Sequence, residues 1–237
     1  MAGYPTNGLP AVVVPFTGFE KVALDTQLAS GIAPQTEAAN LTNLAGYFGG
    51  NLPMVTGRFY GVTNGSTQAA VLTVASTLYA YPVYIPNQIT VATLNIGCTT
   101  GQTAGACHVG IYADNGAGYP GALVYDTGAV SGLTTTVVVT KTPSAATAPT
   151  LQAGWYWFAS SFFASGTYPS VTGTTAIYGS SLNAQLGSDT AAHALTVSGE
   201  AATGISVATT YGALPATFTA AATVTLNATT PIFVIGV

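Results

Sequence analysis

Charge is what this chain lacks most. Charged residues fill 4% of its 237 positions, against about 25% in ordinary globular proteins. The basic residues are three, Lys21, Arg58 and Lys141, and they form no run. Neutralising a phosphate backbone needs several Lys or Arg on one face, so nucleic acid is not an expected partner. Long apolar runs are missing too. "AVVVPF" (11–16) is short and broken by Pro15, so no membrane insertion is expected. The opening "MAGYPTNGLP" has neither a basic n-region nor an apolar h-region, so no secretory leader is expected.

Chemically reactive side chains are equally scarce. The two histidines are His108 and His193, and there is no G-x-S-x-G. "Gly187-Ser188-Asp189" before His193 is the nearest approach to a triad, but neighbours in one loop point apart. Asp114 and Asp126 are the best carboxylate pair for glycoside hydrolysis, with few polar helpers around them. The expectation is no catalysis and no cofactor. Asp114, Asn115 and Asp126 are weak candidates for a metal such as calcium. The competing reading is that Asp and Asn before Gly bond their own backbone in a turn. The two cysteines, Cys98 and Cys107, are separated by "TTGQTAGA". They lack the four-ligand spacing of a zinc site. They either close a hairpin as a disulfide, contributing about 2–3 kcal/mol, or stay as buried thiols.

What is present is apolar and hydroxylic. Hydrophobic residues make up 49% of the chain, enough for a sizeable core at this length. Thr, Ser, Asn, Gln and Gly must supply the polar surface, as suits a β protein working outside a cell. Such a protein without a leader is expected to leave its cell within an assembly, through lysis.

Five of the ten charges (Glu20, Lys21, Asp25, Glu37, Arg58) fall in the first 58 residues, and none between Phe59 and Ala113. This shift predicts two regions, 1–56 and 57–237. In the first, "FEKVALDTQL" reads as a short strand and a turn. "APQTEAANLTNLAGYFGG" reads as a short helix, with Thr36 as N-cap, Glu37 in the first turn, and Leu41, Leu44, Ala45 and Phe48 at helical spacing. Gly49 and Gly50 end it. So little core needs a partner surface. Phe16, Phe19, Leu24, Leu41, Leu44 and Phe48 are the expected anchor or assembly residues; the other reading folds the segment back on its own domain.

From 57 onward, alternating runs recur between turn signals. They include "QITVATLNIGC", "CHVGIYAD", "GALVYDTG", "TTTVVVTK", "GWYWFASSFF", "TAIYGSSL" and "PIFVIGV". This spacing predicts an antiparallel β-sandwich, jelly-roll-like. Tyr119, Tyr168 and Tyr211 are loop candidates for stacking on a glycan; the alternative is that they pack in the core or an interface.

"VGIYADNGAGYPGALVYDTGAV", the later "LQAGWYWFA", the tail "GALPATFTAAATVTLNATTPIFVIGV" and the opening "PFTGFEKVALDTQLASGIAPQTEAANLTNLAGYF" resemble segments of bacteriophage virion structural proteins with a jelly-roll-like sandwich. The resemblance implies a virion location, other capsid or tail proteins as partners, and a homo-oligomer, commonly a trimer. It implies no catalytic residues. The expected function is a non-enzymatic capsid decoration, head spike or fibre subunit held by its N-terminal segment. The alternative is a receptor- or carbohydrate-binding tail fibre protein that adsorbs to the host surface.

Overall fold

The computed structural model describes residues 21–26, 35–40, 52–61, 67–175, 202–218, 224–227 and 229–237. The chain divides into two compact units, Met1–Leu52 and Pro53–Val237.

In the first unit, β1 (Lys21–Thr26) pairs antiparallel with β2 (Gln35–Asn40), from Lys21↔Asn40 to Thr26↔Gln35. The expected strand is therefore present, but Thr36 and Glu37 do not begin a helix. They pair with Asp25 and Leu24. Capping preferences are worth about 1 kcal/mol, and a six-residue antiparallel ladder satisfies the same backbone groups without a cap. Leu41, Leu44, Ala45 and Phe48, like Phe16 and Phe19, lie outside the described residues.

The second unit holds the remaining strands. In order these are β3 (Phe59–Tyr60), β4 (Thr67–Leu72), β5 (Thr77–Ile85), β6 (Ile89–Thr90), β7 (Thr93–Thr100), β8 (Ala106–Asp114), β9 (Pro120–Asp126) and β10 (Val130–Ser131). There follow β11 (Val137–Lys141), β12 (Thr150–Leu151), β13 (Gly154–Phe163), β14 (Ser170–Thr175), β15 (Gly204–Ala208), β16 (Thr225–Asn227), β17 (Thr229–Pro231) and β18 (Val234–Gly236). They form an antiparallel β-sandwich. Sheet I runs β10-β8-β13-β5-β15-β16, with β9 on the same edge of β8 as β10. Sheet II runs β17-β14-β7-β18-β3, with β4 paired to β14 and β11 to β7. The short pair β6–β12 stands apart.

The main core follows the two-residue period of a strand. Tyr79, Tyr81, Val83 and Ile85 of β5, Val109 and Ile111 of β8, and Phe158 and Phe162 of β13 point from sheet I toward sheet II. Leu94, Ile96, Val171 and Ile235 answer from the other side. Phe158 stacks on Phe233 at 4.9 Å, and both meet the Tyr81 ring edge-on. The buried Tyr81 hydroxyl donates to the Phe233 carbonyl and accepts from the Phe233 N–H at 3.1 Å. Burial pushes its pKa well above the usual tyrosine range.

Cys98 and Cys107 also lie in this core, on β7 and β8, as free thiols. No hairpin joins them, because residues 101–105 carry the chain from sheet II to sheet I. Packed sheets sit about 10 Å apart, whereas a disulfide needs Cα atoms within about 7 Å. Burial, with Cys98 nearby, pushes the Cys107 thiol up to about 12.

Sheet I is covered on its other face as well. There Leu78, Ala80, Tyr112, Trp157, Ala159, Ile205 and Val207 form a second core. Residues 209–218 cross over this face as a strap, inserting Leu214 and Phe218. β8 and β13 are thereby buried on both sides at mid-length.

Candidate functional site

The sequence concentrates its rare polar groups in β8, the corner after it, and β9. The structure resolves this stretch into two separate constructions, a turn at one end and a clasp at the other.

The turn uses Asp114 and Asn115. Asp114 Oδ1 accepts from the Gly116 N–H at 2.7 Å, and Oδ2 accepts from the indole N–H of Trp157 at 2.8 Å. Asn115 Oδ1 accepts from Ala117 N–H at 2.8 Å and Tyr119 N–H at 3.3 Å. Gly116 and Gly118 have φ of 84° and 77°, a region other residues rarely adopt. Both acceptor side chains thus serve the local backbone and one buried indole.

The clasp uses Asp126. Oδ1 accepts from the Gly128 N–H at 2.9 Å and from His108 Nδ1 at 3.1 Å. A carboxylate only accepts, so Nδ1 carries the proton. Oδ2 accepts from the Leu214 N–H at 2.9 Å and so holds the strap. The strap is fastened further along its length. The Tyr112 hydroxyl donates to the Pro215 carbonyl at 2.9 Å. Leu123 N–H donates to Ala216 O at 2.9 Å, and Phe218 N–H to Gly121 O at 3.0 Å. Gly110 lies beneath; a Cβ there would overlap Leu214 Cδ1 and the Tyr125 carbonyl.

Asp114 and Asp126 are not brought together. Asp126 is opposite Gly110, four residues from Asp114 on β8, or about 13 Å along the strand. That exceeds the separations of paired glycosidase carboxylates, about 5–9.5 Å. The three weak metal candidates have their oxygens engaged by hydrogen bonds as above. Among the described residues no group of three His, Cys, Asp or Glu stands ready to hold a metal. His193 and the Gly187-Ser188-Asp189 segment lie outside the described residues.

No sequence signal marks Ser161, which lies within the run "GWYWFASSFF". It stands opposite His108 in the β8–β13 ladder, giving a Ser161–His108–Asp126 row. Its buried Oγ has no hydrogen-bond partner, so the nucleophile–base bond that activates a serine is not formed. The Tyr211 ring lies edge-on to His108 at 5.3 Å and beside Phe163 at 5.3 Å. Ser161 and His108 are 2% and 6% exposed. In this structure the row packs under the strap instead of facing a cleft.

The three loop tyrosines are dispersed. Tyr119 is exposed at the corner. Tyr168 packs against the main core. Tyr211 covers His108, and its hydroxyl is buried without a partner. Burial raises its pKa, with Cys107 and Asp126 adding to the shift.

An open groove of about 690 Å³ lies between β9 and the chain leaving β11. It is lined by Tyr125 and Asp126 on one side and Lys141, Thr142, Ser144 and Thr147 on the other. No signal in the sequence links these segments, since β9 and β11 belong to different sheets.

No protein-family model, curated protein or solved structure matches the chain. Among the described residues, no helix is long and apolar enough to cross a membrane.

Proposed function

We propose that this protein is a non-enzymatic structural component of a bacteriophage particle. The sandwich is displayed on the surface as a decoration, head spike or fibre subunit, and residues before Pro53 attach it to other virion proteins or sister chains. The observation that carries this reading is the use of the scarce ionisable groups. Asp114, Asp126 and His108 fasten a turn and a strap to the sandwich instead of converging on a cleft. The body has its own two-part core, which suits a module carried by a separate attachment segment.

The test is incorporation. Tagged full-length chain and a form lacking residues 1–52, the first unit, are expressed during infection, and the particles are purified and imaged. Full-length protein is expected on the particle surface. The truncated form is expected to fold and stay in the lysate. Incorporation of the truncated form, or absence of the full-length chain from particles, overturns the reading.

A further inference from the structure

The groove between β9 and the β11–β12 connection differs from the rest of the body in what it gathers. The described part of the second unit contains four charged residues, Arg58, Asp114, Asp126 and Lys141, and two of them line this one groove. The Asp126 carboxylate is already engaged by three donors from its own chain. The Lys141 side chain has no ion-pair or hydrogen-bond partner among the described residues, and the residue is half-buried at the end of β11. Among the described residues, the Lys141 ammonium is thus the cation of this groove without a partner.

Around that cation the lining is hydroxylic. Ser144 and Thr147 share a hydrogen bond at 2.8 Å. The Ser144 carbonyl accepts from Thr147 and Ala148 N–H groups at 2.9 and 2.8 Å, which folds the loop into a fixed turn. Tyr125 lines the groove across from Thr147, and its ring packs against the main core. The exposed Thr142 stands beside Lys141. Hydroxyls both donate and accept, and a tyrosine gives an apolar body with a polar tip. This lining matches a ligand that alternates hydroxyls with short apolar faces.

We propose that this groove binds a saccharide carrying a carboxylate, such as a hexuronic acid unit of a surface polysaccharide. The acid group sits on Lys141, and the ring hydroxyls on Ser144, Thr147 and Tyr125. The assignment uses a different part of the surface from Tyr119, Tyr168 and Tyr211. It does not depend on where in a particle the protein resides.

The experiment uses the full-length chain on an array holding hexuronate-containing oligosaccharides and neutral ones of matched length, followed by titration calorimetry on the best binder. Saturable binding of the acidic set is expected. Lys141→Gln should weaken it roughly tenfold or more, the size of a lost hydrogen bond to a charged group. Tyr125→Phe and Ser144→Ala should each weaken it by a few-fold, while Tyr119→Phe leaves it unchanged. Unaltered thermal melting of each variant separates lost contact from lost fold; if Lys141→Gln melts early, Ser144→Ala, in an exposed loop, decides. No saturable binding, equal binding of the neutral set, or affinity unmoved by both Lys141→Gln and Ser144→Ala overturns the proposal.

Discussion

The two sheets of the sandwich treat their outer faces differently. On sheet I the strap 209–218 closes the face, so Leu78, Trp157 and Ile205 are almost fully buried there. On sheet II the corresponding positions carry Phe59, Leu72 and Val138, which are 66%, 60% and 64% exposed. Side-chain type does not separate the two faces, since both bear large apolar residues. What separates them is a covering segment fixed by directional bonds, from Asp126 to Leu214 and from Tyr112 to Pro215. A sheet face becomes core when something is held over it, and here the scarce polar groups do the holding.

The largest contrast should come from truncating one aromatic on each face. Trp157→Ala removes the largest side chain of the second core and leaves Asp114 Oδ2 without its indole donor. Such a change costs about 3–5 kcal/mol. Phe59→Ala, on the open face, should stay within about 0.5 kcal/mol. Urea unfolding midpoints measure both. Similar losses for the two variants would mean that sheet II is covered as firmly as sheet I.

Glycines give the next test. A methyl at Gly110 meets Leu214 and the Tyr125 carbonyl, and the carbonyl cannot move aside. At Gly97, on the open face, it meets only the Thr172 side chain, which can rotate. Gly110→Ala should cost about 1–3 kcal/mol, and Gly97→Ala clearly less. Equal costs would show that the strap yields as readily as a threonine rotamer.

Most strands were legible because they obey the two-residue period. "GWYWFASSFF" and "CHVGIYAD" correspond to β13 and to nearly all of β8. The alternation of Val109, Ile111 and Ala113 puts the three on one face of β8, and of these Val109 and Ile111 enter the inter-sheet core. It is silent about His108, Gly110 and Tyr112, whose burial depends on a segment a hundred residues away. That segment, "YGALPATF", has Gly, Pro and no strand period, so nothing local marks it as a cover for sheet I. Bonds such as Tyr112 to Pro215 leave no local trace. The β2 error has a related cause, because Thr36 and Glu37 fit a helix start locally and only pairing with β1 decides otherwise. The groove at Lys141 was invisible for the same reason, being built from edges of two sheets.

The core between the sheets makes a prediction about alkali. The folded-state pKa of Cys107 is raised by burial from 9.0 to about 12. A raised pKa means that the native state holds its proton where the unfolded chain has lost it. The stability this confers is complete below pH 9 and declines as pH rises from 9 toward 12. Tyr81 and Tyr112, also raised by burial, add to the decline. Unfolding midpoints should therefore fall between pH 8.5 and 10.5 by roughly 1–2 kcal/mol for the one thiol. Cys107→Ala should be less stable throughout but lose less over that interval. An unchanged pH slope would place the thiol in water.

The smallest expected effect is the one most informative about the open face. Val138 lies on β11, opposite Gly97, with its side chain outward. Thr keeps the branched shape and strand preference of Val, so Val138→Thr should change the stability of an isolated chain by less than about 0.5 kcal/mol. That outcome, at any protein concentration, would confirm the face as solvent-facing in the free protein. A larger loss that grows with protein concentration would mean that a second copy covers sheet II, because association stabilises by mass action only when the partner is present. Sheet II would then be closed between subunits as sheet I is closed within one.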